Sequence, residues 1–176
     1  MAKRNIKSKK GFTIIEVVLV LAIAGLIFLM VFVALPALQR SQRDTQRRDD
    51  MARFMSQLSQ YEANNNGRVP ANTVAAWNDF ITGYLRVNDD NFSDPDGTNY
   101  AVAGICVVSS NTACGSSVGT RILPNGALTW DANKHQIFVY TNAKCNGENV
   151  EFVANSPRLI AIRYKLEGAG IYCGNV

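Results

Sequence analysis

The sequence lacks the motifs that enzymes and metal proteins use for chemistry. Its 176 residues include one histidine, His135, and contain no G-x-S-x-G nucleophile turn, phosphate loop, dinucleotide-binding glycine motif or H-E-x-x-H zinc motif. The four cysteines form no C-x-x-C pair and have no histidine at the spacing of a zinc site. We therefore expect no enzyme activity, no metal and no cofactor, and we expect His135 to be an exposed strand residue.

Charged residues are scarce, and positive charge is concentrated at one end of the chain. Asp, Glu, Lys and Arg make up 18% of the residues, below the roughly 25% that soluble domains average. The net charge is +4, and the first eleven residues hold five basic side chains: Lys3, Arg4, Lys7, Lys9 and Lys10. Removing these five charges leaves −1, so the basic character does not indicate a nucleic-acid partner. The length allows one ordinary domain with one sizeable core.

A long apolar run follows the basic residues. Residues 17–35 contain no charge, amide or hydroxyl, and as a helix they span roughly 28 Å, close to the ~30 Å hydrocarbon core of a bilayer. A buried core helix and a secretory signal peptide are the alternatives. The apolar part of a signal peptide is about 7 to 15 residues long and ends at a small-residue cleavage site, which the run before Pro36 does not match. The pattern favours a membrane-spanning helix.

Glu16 is the one charged residue at the start of this apolar region. A carboxylate at membrane depth costs a few kcal/mol unless it is paired or lies near the interface. Alone, Glu16 fits a glutamate that reaches the cytosolic headgroups. Its surroundings, Lys-Lys-Gly-Phe-Thr-Ile-Ile-Glu at residues 9–16, resemble the processing site of type IV prepilins: a short basic leader ending in Gly, then Phe, a glutamate and a long apolar stretch.

The resemblance implies a processing pathway and an assembly contact. A prepilin peptidase in the membrane would cleave between Gly11 and Phe12 and N-methylate Phe12. Glu16 would pair with the amine of Phe12 on a neighbouring subunit once the helices pack in a filament. The physics agrees, because an ammonium beside a carboxylate in low dielectric offsets the desolvation of both groups.

The helix is expected to continue beyond Pro36 with a different surface. Residues 39–50 contain no apolar side chain but carry Arg and Asp at i,i+4 spacing, which predicts a solvated or intersubunit helix face. An apolar stripe then resumes at helical spacing and predicts packing on a core; it comprises Met51, Phe54, Met55, Leu58 and Tyr61. The asparagines and glycine at residues 64–67 are expected to end the helix.

The remainder is expected to be mostly β-structure. Residues 63–99 predict a connecting region with a short helix around 73–85, and the Asp- and Asn-rich loop at 88–99 favours a plain turn over a calcium site. Strands are predicted at 100–108, 121–123, 127–130, 136–141, 149–153 and 159–166. The fold class is therefore α+β: a long N-terminal helix, half membrane and half domain, packed on an antiparallel sheet, the ladle of type IV pilins.

The cysteines indicate on which side of the membrane the chain after the apolar run lies. Five basic residues follow the apolar run and equal the five before it, so flanking charge does not set the orientation. Cys106, Cys114, Cys145 and Cys173 all lie downstream, and an even number in Gly-, Asn- and Ser-rich surroundings predicts two disulfides and an oxidising exterior; four reduced buried thiols are the alternative. Three pairings are possible. The short turn-rich segment between Cys106 and Cys114 favours that pair, and a Cys145–Cys173 bridge would tie the C-terminal hairpin onto the sheet.

These patterns predict five segments: a leader (1–11), a transmembrane and assembly helix (12–38), an amphipathic helix half (39–62), a connecting region (63–99) and a disulfide-bonded sheet (100–176). The resemblance implies a single-pass membrane precursor that becomes an extracellular filament on the cell surface. Its partners would be prepilin peptidase, other pilin subunits, the membrane before assembly, the assembly machinery and a surface or cell target. Nucleic acid would be a partner only if the protein served in DNA uptake. The alternatives are a pseudopilin or minor pilin of a secretion or DNA-uptake apparatus, a non-polymerising membrane-anchored adhesin, and an anchored hydrolase.

Overall fold

The computed structural model describes residues 11–87, 90–168 and 170–176. The chain divides into two compact units, Met1–Gln39 and Arg40–Val176. The basic side chains of the expected leader lie outside the described residues. Helix α1 (Ile14–Asn64) contributes residues to both units.

The first unit consists of the apolar half of α1. Its large hydrophobic side chains are exposed from Phe12 to Leu38, and its most apolar window of 18 residues has a mean hydropathy of 3.2 with none of it buried. The chain remains helical at Gly25 and at Pro36. By length and composition this segment is able to cross a membrane, and its exposure distinguishes it from the core helix of a globular protein.

The second half of α1 packs on the core of the second unit, as the apolar stripe predicts. Met51, Phe54 and Leu58 are fully buried, and Met55 is nearly so. Tyr61 is half-buried and contacts two aromatic rings edge-on. After Asn64, the backbone turns left-handed at Asn66 (φ 57°) and Gly67 (φ 72°), the conformation that commonly terminates a helix.

A short helix follows, in the region where the sequence predicts one. Helix α2 (Val74–Phe80) begins at Thr73, whose hydroxyl accepts a hydrogen bond from the amide of Ala76 at 3.2 Å. It continues into a π-helical turn, Ile81–Leu85. Trp77 and Phe80 from this segment pack against Phe54 of α1. This aromatic contact attaches the connecting region to the long helix.

The main sheet has five strands in the order β2-β1-β3-β6-β7, and β4 and β5 form a separate hairpin. The strands are β1 (Ala101–Ser110), β2 (Ala113–Gly119), β3 (Gln136–Thr141), β4 (Ala143–Asn146), β5 (Asn149–Phe152), β6 (Ile160–Lys165) and β7 (Ile171–Asn175). Every pair is antiparallel except β1 and β3, which run parallel. The fold is the expected α+β class with an antiparallel-rich sheet, in which the pairing of β1 with β3 is the parallel exception among the described strands. The chain from 120 to 135 returns to the starting end of β1, so β3 begins beside Ala101.

Two of the expected strands are absent from this described region. Residues 121–123 lead into a turn closed by the hydrogen bond from the amide of Gly126 to the carbonyl of Leu123 (2.8 Å), and Trp130–Asn133 forms a short helix, α3. In their place, β2 pairs with β1 at the edge of the sheet. Most of β2 is exposed, so its sequence has no need of the apolar alternation by which strands are recognised.

The sheet buries side chains on both faces. Ile137 and Val139 of β3 join the core under α1, whereas Phe138 and Tyr140 join a second core with residues of β1, β4 and β5. In β6, the alternate residues Ile160, Ile162 and Tyr164 and the following Leu166 all lie in the first core. Central strands buried on both faces are typical of a covered sheet.

A buried guanidinium connects α1 to two distant loops. Arg47 is 1% exposed, and its Nε and Nη2 donate to the two carboxylate oxygens of Asp94 at 2.6 and 2.8 Å. Its Nη1 donates to Asp44 and to Glu167, both at 3.0 Å. Its Cζ lies 4.5 Å from the ring centre of Trp130. We call Arg47, Asp44, Asp94 and Glu167 the Arg47 cluster. Most side chains of residues 39–50 are exposed, as a solvated helix face predicts, but Asp44 and Arg47 depart from that expectation because they are buried.

Two further residues donate hydrogen bonds to carboxylates of the Arg47 cluster. Arg43 donates to both oxygens of Glu167, at 2.8 and 2.6 Å. The hydrogen bonds from Arg43 and then Arg47 outweigh partial burial and lower the pKa of the Glu167 carboxyl to about 2. The hydroxyl of Tyr164 donates to Asp94 at 3.0 Å. The carboxylates of this cluster therefore accept charge-assisted hydrogen bonds from named donors.

Replacing Asp94 with Asn tests how much the Arg47 cluster contributes to the stability of the fold. We expect Asp94→Asn to lower the free energy of unfolding by about 3 to 5 kcal/mol, because it leaves a buried guanidinium without its closest counter-charge. Urea denaturation of the full chain in detergent, followed by tryptophan fluorescence, measures the loss. The matched control is Glu151→Gln, whose partner Lys144 lies 3.5 Å away with both side chains about half exposed; it should cost about 1 kcal/mol or less. Equal losses in the two variants would contradict the assignment.

Candidate functional site: the start of helix α1

The residues that precede α1 are exposed and make few contacts. Gly11, Phe12 and Thr13 are not helical, and the Phe12 side chain is 89% exposed. A Cβ built on Gly11 would meet nothing within 4 Å. Packing among the described residues therefore does not require glycine at position 11 or an aromatic ring at position 12.

Glu16 caps the helix in which it lies. Its Oε2 accepts hydrogen bonds from the amide and the hydroxyl of Thr13, both at 2.8 Å, and its own amide donates to the Thr13 hydroxyl at 3.4 Å. This is a capping box, in which Thr and a glutamate three residues later satisfy each other's backbone donors. The T-x-x-E spacing was available in the sequence, so the capping role of Thr13 is a feature that sequence reasoning missed. Hydrogen bonds within one chain thus hold the carboxylate at the helix N-terminus, where negative charge is favourable.

A shallow apolar hollow surrounds Glu16. It has a volume of about 290 Å³ and is lined by Phe12, Glu16, Val17, Val20 and Leu21. Phe12 and Glu16, which the prepilin resemblance assigns to one contact, therefore line the same concave surface. The hollow is apolar except for the carboxylate, so it offers a place for an apolar side chain beside a single negative charge.

The four cysteines form two disulfides, in the pairs that the sequence favours. Cys106 and Cys114 link β1 to β2 with a Cα separation of 5.4 Å, and Cys145 and Cys173 link β4 to β7 with a separation of 5.8 Å. Both separations lie in the range that a disulfide requires. The second bridge closes a loop with a sequence separation of 28, for which the chain-entropy model gives about 3 to 4 kcal/mol.

His135 lies in a cluster that resembles a metal site by position. One ligand atom each from Asp94, Asp96 and His135 lie within 4.8 Å of one another. Both oxygens of Asp94, however, already accept hydrogen bonds from Arg47, so this carboxylate serves the ion pair. His135 is half-buried in the turn before β3, with φ 62° and its Nε2 2.7 Å from Asp96. The expectation of an exposed strand residue is wrong, because a left-handed residue here joins α3 to β3.

Comparison with known protein families gives a match at the N-terminal end of the chain. Residues 6–32 match a family model described as the prokaryotic N-terminal methylation motif, and this range contains Gly11, Phe12 and Glu16. No curated protein sequence and no solved structure matches the chain. The motif and the apolar helix fit a membrane-anchored precursor that becomes an extracellular filament. The chain therefore carries the N-terminal signature of type IV prepilins on a pilin-like α+β architecture.

Proposed function

We propose that this protein is the structural subunit of a type IV pilus or a related extracellular filament. The observation that carries the proposal is the exposed apolar half of α1, most of which lies within the methylation motif. Prepilin peptidase removes the leader after Gly11 and methylates Phe12. The processed chain stays in the membrane until the assembly machinery adds it to the filament, so its activity is assembly and not catalysis.

The exposed apolar surface supports polymerisation. The large hydrophobic side chains along residues 12–38 are all at least 43% exposed in the single chain. An apolar surface of this extent is stable only in lipid or against other protein. When the helix leaves the membrane, the equivalent helices of neighbouring subunits provide the replacement. We therefore assign residues 12–38 to membrane anchoring and assembly, and residues 39–62 to packing within the domain.

The charge of Glu16 supports a specific contact in that helix bundle. The capping box satisfies part of the hydrogen-bonding capacity of the carboxylate, but it supplies no positive charge. Burial among apolar helices would leave an uncompensated anion, which is costly. The amine of Phe12 on a neighbouring subunit is a cation of the right kind, and it would enter the apolar hollow that Glu16 lines.

Processing is tested at the cleavage site. The protein recovered from the cell surface is expected to begin at Phe12 with a methylated amine, and Gly11→Val is expected to leave the uncut precursor in the membrane. The Cβ of position 11 meets open space, so the substitution changes recognition by the peptidase without disturbing the fold. Intact mass and N-terminal sequencing measure cleavage and methylation together. A surface-derived chain that begins at Met1 or beyond Ala34 would refute this processing.

Glu16 is tested with variants that separate its charge from its capping role. Glu16→Gln keeps the capping acceptor and removes the charge, so we expect it to abolish or greatly reduce filaments. Thr13→Ala is the matched control, since it weakens the cap by about 0.5 to 2 kcal/mol and keeps the Glu16 charge; it should still form filaments. Electron microscopy of sheared cell-surface material measures the number of filaments that each variant forms. If Thr13→Ala loses filaments and Glu16→Gln keeps them, capping is the role of Glu16 and the pairing is wrong.

The assembly element is tested by truncation. A chain that begins at Arg40 contains all of the second unit, and we expect it to be soluble, folded and unable to form filaments. Circular dichroism and size-exclusion chromatography report folding and monomeric state, and electron microscopy reports polymerisation. Filaments formed by this shortened chain would move the assembly surface to the second unit. A full-length chain that is processed but stays monomeric in cells would instead support the anchored adhesin.

A further inference from the structure

A groove lies in the second unit beside the end of α1. Its volume is about 540 Å³, within the roughly 300 to 1,000 Å³ typical of small-molecule sites. The segment after α1 forms one wall, and the chain around Thr141 and Arg158 forms the other. Trp77 of α2 and Val107 of β1 complete the lining. We call this concave surface the Trp77 groove.

The walls of the Trp77 groove are largely apolar. Val69 and Val107 are half-buried and Pro70 is buried, and all three line the groove together with the fully buried Trp77. None of these residues belongs to the methylation motif or to the Arg47 cluster. A ligand therefore needs an apolar body to replace water on this surface.

Two guanidiniums lie at the edge of the groove. Arg68 and Arg158 are exposed lining residues, and neither has a carboxylate within 4 Å among the residues that the structure describes. Arg158 is closely packed, because its Cζ lies 3.3 Å from the position that a Cβ on Gly67 would take. Gly67 has φ 72°, so glycine there permits both the helix end and the close approach of Arg158.

The buried indole of Trp77 has an unused donor. Its Nε1 is buried and has no hydrogen-bond acceptor within the described part of the chain. An unpaired buried donor costs about 1 to 3 kcal/mol, and such groups in folded proteins usually have a partner. Burial raises the pKa of the Glu62 carboxyl, and the charge of Arg158 opposes that rise. The groove thus combines apolar walls with two cations at its edge.

We propose that the Trp77 groove binds a small organic acid, with its carboxylate at Arg158 and Arg68 and its apolar body against Val69, Pro70 and Val107. Guanidinium and carboxylate form paired, charge-assisted hydrogen bonds, which makes a carboxylate the fitting anion. This role is separate from filament assembly, because all groove residues lie in the second unit, whereas the methylation motif lies in the first.

The test uses the two tryptophans as reporters. The chain contains only Trp77 and Trp130, so the ¹⁵N-labelled full chain in non-ionic detergent gives two indole N–H signals, which Trp130→Phe assigns. We expect hexanoate to shift the Trp77 signal saturably and to leave the Trp130 signal in place. Hexan-1-ol is the matched neutral probe and inorganic phosphate the matched anion, and neither should reproduce the shift.

Variants separate a specific site from general charge attraction. Arg158→Gln should weaken hexanoate binding by at least about tenfold, as expected for a lost charged hydrogen bond. Arg121→Gln removes the same charge from an exposed arginine outside the groove and should leave binding unchanged. The remaining amide signals of each variant show whether it is folded. The proposal is overturned if millimolar hexanoate gives no saturable shift, if hexan-1-ol or phosphate acts equally well, or if the two arginine variants weaken binding equally.

Discussion

The second unit depends on a buried ion pair between Arg47 and Asp94. Arg47 projects from α1, Asp94 belongs to the loop before β1, and Glu167 follows β6, so one guanidinium joins three segments that are distant in the sequence. Burying these charges is favourable only because nearly every donor and acceptor has a partner. The helix can therefore shift along the sheet only by breaking several short contacts together. The ion pair gives the domain half of α1 a defined register, which apolar packing of Met51, Phe54 and Leu58 alone would specify less strictly.

Local patterns in the sequence predicted the helices well and the sheet less well. The apolar stripe of α1 and the short helix after it follow from spacing that one segment carries by itself. The burial of Arg47 was not predictable from its i,i+4 neighbours, because its closest partner lies at position 94. The parallel pairing of β1 with β3 and the exposed edge strand β2 depend equally on contacts between distant segments. His135 was misassigned for a similar reason, since its partner Asp96 is supplied by a remote loop.

The candidate site was predictable because its signal is contained in a short segment. Gly11, Phe12 and Glu16 are recognised by order and spacing, and the family match covers the same residues. The structure adds what the motif does not contain: Glu16 already has hydrogen-bond partners in its own chain. A capped carboxylate keeps its position while the helix is alone, and the capping hydrogen bonds bring no positive charge to it. Capping and pairing are therefore compatible, because the first uses hydrogen bonds and the second uses charge.

The second disulfide encloses a residue of the Arg47 cluster. Cys145 and Cys173 enclose the segment that contains Glu167, which accepts hydrogen bonds from Arg43 and Arg47. The same enclosed segment contains Arg163, whose guanidinium is buried and donates to the carbonyls of Pro124 and Gly126. Closing this loop reduces the conformational entropy that the unfolded chain loses when these long-range contacts form. The disulfide thus favours contacts that lie some distance from its sulfur atoms, and a domain with few charges can hold two buried arginines in fixed positions.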